Sequence, residues 1–246
     1  MSEAVLELEG LHKAFGGNVV LPGLDFALAG GLITSLIGPN GAGKTTLFNL
    51  ITGFVPPDAG AIRYRGRLLN GLSPSQIARL GVVRSFQDLR LFRNMTVLEN
   101  VLIARERGLR DAWSHRPRAE SERVLRRVGL WEKRGVRAAD LSFAEQKFLS
   151  LARLMALDAD LLLLDEPISG LDGPSLEQFH ELLRELRREG KTILLIEHNH
   201  DIVRAVSDRV AFLDKGSLVA YGTPEEIFAN ADLAARYFGV EGEAGC

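Results

Sequence analysis

Residues 38–45, Gly-Pro-Asn-Gly-Ala-Gly-Lys-Thr, constrain the fold of this chain more than any other segment. They follow an apolar run from Leu32 to Ile37, which is typical of a buried strand, and they precede a segment of helical character that reaches about Phe54. The pattern G-x-x-x-x-G-K-[ST] in a strand–turn–helix context is typical of a loop that wraps around phosphate groups. The sequence therefore predicts an α/β protein that binds a nucleoside triphosphate.

The residues of this loop have separate expected tasks. Glycines let the backbone approach closely, so that N–H groups and the helix N-terminus face the anion. Lys44 is expected to reach the β- and γ-phosphates, and the Thr45 hydroxyl to ligate Mg²⁺. The other expected nucleotide contacts are Gly38, Pro39, Asn40, Gly41, Ala42, Gly43 and Thr46.

Polar residues follow two further predicted strands. Asp165 and Glu166 end the apolar run 161–164, at the edge of the sheet where α/β proteins bind ligands. Because adjacent strand residues point to opposite sides, Asp165 is assigned to Mg²⁺ and Glu166 to the water that attacks the γ-phosphate. Without the glycine-rich loop, this acidic pair would be interpreted as the start of a loop. His198, after the strand 192–196, could reach the γ-phosphate or could be structural.

The order of predicted elements defines the fold class. Strands and helices alternate over the last hundred residues, which is typical of βαβ units and a mostly parallel sheet buried on both faces. The N-terminal stretch has the pattern of an antiparallel β subdomain. Residues 88–140 have little strand signal and are predicted to form a helical subdomain inserted in one domain spanning residues 1–246. Ten arginines lie between Arg105 and Arg137, against five acidic residues; they form a solvated helix face or lie near anionic lipid or a partner.

Composition excludes several classes of protein. A net charge of −2 gives no support for nucleic-acid binding, which usually requires a basic face. The single cysteine, Cys246, rules out a disulfide framework within the chain and fits a reducing cytoplasm. The apolar runs are far shorter than the roughly 18 residues of a membrane-spanning helix, so we expect any membrane role to depend on another chain.

These motifs, in this order, resemble those of the nucleotide-binding subunit of ABC transporters over nearly the whole chain. The resemblance implies a P-loop NTPase fold of the ABC ATPase type, ATP and Mg²⁺ as ligands, and ATP hydrolysis coupled to transport. It implies two partners at the cytoplasmic face of the membrane: polytopic permease subunits and a second ABC ATPase subunit, identical or not. The residue roles that it implies are adenine stacking by Phe15, Mg²⁺ contact by Gln87, Mg²⁺ binding by Asp165, general base catalysis by Glu166, a γ-phosphate switch at His198, and bridging of the dimer by residues 169–172.

One motif departs from the family. Where the family signature has Leu-Ser-Gly-Gly-Gln before a helix, residues 141–145 are Leu-Ser-Phe-Ala-Glu. In the family this segment binds the γ-phosphate held by the opposite subunit, and Ser142 is well placed as a helix N-cap. If Ala144 needed a positive φ, the cost would be on the order of 1 kcal/mol.

Within the family, Arg84-Ser85-Phe86-Gln87, residues 91–101 and Ile196-Glu197-His198 resemble the importers of branched-chain amino acids. The alternatives are an ATPase of a lipopolysaccharide-export system and a soluble ABC-type ATPase not engaged in transport. The sequence alone does not identify the solute that is carried.

Overall fold

The computed structural model describes residues 4–86, 89–105, 116–230 and 233. The chain divides into two compact units, of which the first comprises residues 1–73 and 194–246 and the second residues 74–193. The first unit contains β1 (Ala4–Phe15), β2 (Asn18–Ala29), β3 (Ile33–Ile37), α1 (Lys44–Ile51), β4 (Ala59–Tyr64), β5 (Arg67–Leu68), and the C-terminal α7 (His200–Val206), β9 (Arg209–Asp214), β10 (Ser217–Gly222) and α8 (Pro224–Phe228). The second contains α2 (Pro74–Arg79), β6 (Val82–Arg84), α3 (Val97–Arg105), α4 (Arg116–Arg127), α5 (Phe143–Ala156), β7 (Leu161–Asp165) and α6 (Gly173–Arg188). Strand β8 (Thr192–Ile196) contains the boundary between the two units.

The first unit combines antiparallel and parallel pairing. Strands β2, β1, β4 and β5 form an antiparallel sheet in that order. Strand β3 pairs parallel with β9, and β9 pairs antiparallel with β10. All five residues of β3 are buried, as expected of a strand that is covered on both faces.

Strand β2 continues through Pro22 and Gly23, where the sequence pattern predicts a break between 19–21 and 24–28. Pro22 lies opposite His12 in the ladder with β1. β2 is at the edge of its sheet, the position where strands tolerate proline because it lacks an N–H donor for the ladder.

The second unit pairs β6 with β7 in parallel, and its other elements are helices apart from the part of β8 that it contains. Every residue of β7 is buried, which accounts for its unbroken run of leucines. The described part of residues 88–140 is helical, with two 3₁₀ turns at Trp131–Lys133 and Ala138–Asp140 and one isolated bridge between Thr96 and Arg137. The predicted α/β class with an antiparallel N-terminal sheet is confirmed, while the subdomain boundaries at 88 and 140 and the single domain over 1–246 stay predictions.

Asn100 organises the chain before α3. Its side chain is fully buried, accepts a hydrogen bond from the Phe92 N–H at 2.9 Å, and donates to the carbonyls of Phe92 and Thr96 at 3.0 Å each. Thr96 and Glu99 form reciprocal backbone and side-chain bonds at the start of the helix. A single amide thus fixes the turn that leads into the helical region.

Among the helices of the described residues, none has both the length and the apolar character that crossing a bilayer requires.

Candidate functional site

The glycine-rich loop joins the end of β3 to the start of α1. Gly38 has φ 147°, and a Cβ atom at this position would lie 1.9 Å from the Leu213 carbonyl oxygen. The Gly216 N–H donates to the Ala42 carbonyl at 3.0 Å, which joins the loop to the turn after β9. Only glycine fits at residue 38, because β9 passes too close for any side chain.

The start of α1 has the geometry of an anion site. Its N-cap residue is Gly43, with φ 103°, and no side chain caps the helix. Lys44 is only 6 % exposed, and its ammonium donates to the carbonyls of Gly38 at 2.7 Å and Pro39 at 3.0 Å. Thr45 is exposed on the first turn, and Thr46 is half-buried. The loop therefore holds a buried positive charge inside its own curve, where the sequence predicts the phosphates.

His198 lies beside this loop in the same unit. It lines an open cavity together with Gly38, Pro39 and Glu197. Glu197 is buried, whereas His198 is exposed at the end of β8. The structure therefore brings the predicted switch histidine to the start of the phosphate loop.

His200 lines the same cavity on the first turn of α7. Burial, and then the nearby positive charge of Arg204, lower the pKa of its imidazole. His200 is therefore a neutral group beside the loop at physiological pH.

Phe15, the predicted adenine-stacking residue, is the last residue of β1 and is 47 % exposed. The ammonium of Lys13 lies 5.2 Å from the centroid of its ring. A large aromatic residue that stays half exposed is available for a planar ligand.

Asp165 ends β7 in the second unit, and it has a partner that sequence reasoning missed. Its Oδ2 accepts a hydrogen bond from Nη2 of Arg84 at 2.7 Å, and the two side chains are 6 % and 5 % exposed. The Asp165 N–H also donates to the Ser85 hydroxyl at 2.9 Å. The carboxylate is thus fixed from β6, and Arg84, 81 residues away in sequence, carries no local signal of this contact.

Glu166 does not continue the strand. The strand ends at Asp165, and Glu166 has φ 47°, in the left-handed region. Strand alternation therefore does not determine where its carboxylate points, contrary to the reasoning from sequence. The Glu166 carbonyl instead accepts a hydrogen bond from the ammonium of Lys147, at 2.9 Å, which connects the loop to α5.

Ser142 is the N-cap of α5, as predicted. Its hydroxyl accepts from the Glu145 N–H, and the Glu145 carboxylate accepts from the Ser142 N–H at 3.0 Å. None of residues 143–145 has a positive φ, so Ala144 is not strained. The departure from the family signature is therefore compatible with a regular helix start.

Phe143 occupies the space beside the loop at 169–172. A Cβ atom on Gly170 would lie 3.0 Å from the Phe143 ring, and the Lys147 ammonium lies 5.3 Å from the centroid of the same ring. The side chain is 55 % exposed. Gln87, the remaining predicted contact, lies outside the described residues, as does Cys246.

The sequence matches the ABC transporter family over residues 21–169. The high-affinity branched-chain amino acid transport ATP-binding protein LivG of Salmonella typhimurium is 44% identical, over 97% of this chain and 99% of that protein. BraF of Pseudomonas aeruginosa, with the same description, is 39% identical over 97% of this chain and 99% of its own length. The L-cystine import ATP-binding protein TcyN of Bacillus subtilis is 34% identical over 91% of this chain and 88% of its own length.

Solved structures agree with this family. An ATP-binding cassette of an ABC transporter in its ADP conformation matches with a TM-score of 0.86 and 27% identity, covering 95% of this chain and 98% of that chain. A nucleotide-free cassette matches with a TM-score of 0.85, again at 27% identity, over 94% and 97% of the two chains. The phosphate-loop geometry, the family match and the near full-length relatives lead to one conclusion: this chain belongs to the ABC transporter family, as a nucleotide-binding subunit that hydrolyses ATP.

Proposed function

We propose that this chain drives the import of branched-chain amino acids, or of a similar small polar solute, through a membrane permease. The observation that carries the ATPase part of the proposal is the phosphate loop, with its buried Lys44 and its uncapped helix start. The solute is inferred from LivG and BraF, whose names specify branched-chain amino acid transport. These relatives favour import over the lipopolysaccharide-export and soluble alternatives.

The residues of the loop support binding of the triphosphate. Lys44 exchanges the carbonyls of Gly38 and Pro39 for β- and γ-phosphate oxygens, since charge-assisted bonds to phosphate are stronger than bonds to neutral carbonyls. Thr46 and the backbone of residues 39–43 surround the phosphates, and Phe15 stacks on adenine. His198 contacts the γ-phosphate from the cavity that it shares with Gly38.

The donor set fits Mg²⁺. The Thr45 hydroxyl, the Gln87 amide oxygen and the Asp165 carboxylate are hard oxygen ligands, which Mg²⁺ prefers. In the described part of the chain, no group of three or more His, Cys, Asp or Glu side chains could hold a metal. In nucleotide sites Mg²⁺ is held by one or two protein groups together with substrate phosphates, whose charge it neutralises.

Glu166 is the proposed general base. Its carboxylate takes the proton of the attacking water, while the bond between its carbonyl and Lys147 holds the backbone in place. Ser142 and the start of α5 contact the γ-phosphate of a second ATPase subunit. We place the assembly at the cytoplasmic face of the membrane, bound to permease subunits.

A nucleotide titration tests the phosphate loop. Lys44→Ala should weaken ATP binding by about 10- to 150-fold, the equivalent of one hydrogen bond between charged groups. Lys191→Ala is the matched control, because Lys191 pairs with Asp158 and Asp160 in the other unit. Equal affinity of Lys44→Ala and wild type would disprove the assignment.

Purification from a detergent extract tests the transport role. The tagged chain should co-purify with a polytopic permease, and cells in which Glu166→Gln replaces the wild type should lose uptake of radiolabelled leucine while the complex remains intact. Leucine uptake that does not depend on this chain would refute the proposed solute.

A further inference from the structure

The cation beneath the Phe15 ring is almost buried, although the ring itself is half exposed. Lys13 is 7 % exposed, and its ammonium lies over the ring at 5.2 Å from the centroid. A buried lysine requires a counter-charge. Here Asp58, in the turn between α1 and β4, provides it at 2.7 Å.

Asp58 makes further contacts with the end of β1. Its Oδ2 accepts a hydrogen bond from the Ala14 N–H at 2.7 Å, and its own N–H donates to the His12 carbonyl at 3.0 Å. The bond from Lys13, and then the bond from the Ala14 N–H, lower the pKa of Asp58, so the carboxylate is charged at physiological pH. Asp58 therefore holds three successive residues just before the aromatic ring, two through its carboxylate and His12 through its own N–H.

We propose that Lys13 and Asp58 are positioning residues for the adenine base: they hold the Phe15 ring with one face on the ammonium and leave the other face for the ligand. This inference rests on the proposed stacking role of Phe15. Without these contacts a half-exposed ring next to Gly16 and Gly17 would sample several rotamers, and ordering it on binding would cost affinity. The Lys13–Asp58 pair removes that cost in advance.

This arrangement predicts that the substitutions weaken binding of the adenine base and leave binding of the phosphates unchanged. Lys13→Met keeps an unbranched side chain, one atom shorter, and removes the charge, so ATP affinity should fall by about 2- to 30-fold, the range of a cation–π contact. Affinity for inorganic tripolyphosphate should be unchanged, because this ligand has no base to stack on the Phe15 ring. Asp58→Asn should act in the same direction, and Lys13→Arg should retain the wild-type preference.

The experiment is a calorimetric titration of the purified full-length chain with Mg²⁺·ATP and with Mg²⁺·tripolyphosphate. Arg65→Met is the matched control, because Arg65 lies 5.5 Å from the ring of Tyr64 and its loss removes a cation–π contact elsewhere in the same unit. The variants are also combined with Phe15→Ala. If Lys13 acts through the ring, Lys13→Met should have no further effect on ATP affinity in the Phe15→Ala background.

The outcomes separate this inference from the function on which it rests. Phe15→Ala should weaken ATP binding by about 5- to 150-fold, as expected for loss of base stacking. If it does so while Lys13→Met and Asp58→Asn have no effect, the positioning role is wrong and the stacking role stands. If Phe15→Ala leaves the preference for ATP over tripolyphosphate unchanged, both fall. Equal losses for the two ligands in Lys13→Met would also overturn the inference, because they would indicate a general structural effect.

Discussion

The Arg84–Asp165 ion pair should make a large contribution to the stability of the second unit. The two side chains are 5 % and 6 % exposed and 2.7 Å apart. Removing one partner of a buried ion pair leaves the other charge in a medium that solvates it poorly, which costs about 3–5 kcal/mol. Arg84→Met should therefore lower the free energy of unfolding by about that amount, and for a chain of this size the melting temperature should fall by about 6–20 °C.

Urea denaturation of the wild type and the variant measures this loss. Arg188→Met is the control, because its pair with Glu181 is 62 % and 46 % exposed and should be worth about 0–1 kcal/mol. Mg²⁺·ATP should restore more stability to Arg84→Met than to the wild type, since the metal supplies Asp165 with the positive charge that the substitution removes.

A loss below about 1 kcal/mol for Arg84→Met, equal to that of the exposed control, would show that the pair is solvated and that the reasoning from burial is wrong. The loss could also be large while Mg²⁺·ATP stabilises Arg84→Met no more than it stabilises the wild type. That result would remove the support for Asp165 as a metal ligand.

Three further predictions concern catalysis, the signature helix and stability. Glu166→Gln keeps the shape of the side chain but cannot accept a proton, so ATP binding should persist and turnover should stop. Size-exclusion chromatography with ATP should show a dimer, and a monomer at every concentration would contradict this. Restoring the family signature with Phe143→Gly, Ala144→Gly and Glu145→Gln should raise the ATPase rate of the site that faces Ser142. The rate is measured in a reconstituted heterodimeric complex in which Glu166→Gln silences the other site. An unchanged rate would show that the variant signature is fully functional. Burial, and then the charge of Arg184, lower the pKa of His180, so protons bind preferentially to the unfolded chain and stability should decrease as the pH falls below about 6.5. Urea midpoints of wild type and His180→Gln at a series of pH values would measure this, and an equal pH dependence in the two proteins would exclude His180 as the cause.

The elements that the sequence predicted best are those with an unbroken apolar run. Strand β8 has the predicted bounds, Thr192–Ile196, because a strand buried on both faces has a continuous apolar run, here residues 193–196. Strand β10 was missed: alternate residues are exposed, as in a half-covered edge strand, and its apolar signal is correspondingly weak. Helix α1 ends three residues before the predicted Phe54, at Ile51.

In the candidate site, too, some features could be predicted from the sequence and others could not. The loop at 38–45 and Ser142 were predictable because strand, turn and cap chemistry are local properties of the chain. The contacts of Arg84 with Asp165 and of Lys147 with Glu166 join residues 81 and 19 positions apart, and no periodicity encodes them. Glu166 illustrates a different failure, since its left-handed backbone breaks the alternation on which its predicted direction depended.

The self-contained bonding of Lys44 has a consequence for the turnover cycle. When ADP leaves a phosphate site, a buried ammonium that lost its only partners would pull the product back, because a stranded charge is costly. In this loop the Gly38 and Pro39 carbonyls are in place to accept hydrogen bonds from the Lys44 ammonium as the product departs. On the proposed role of Lys44, we expect the loop to lower the barrier to product release, a step that limits the rate of many enzymes.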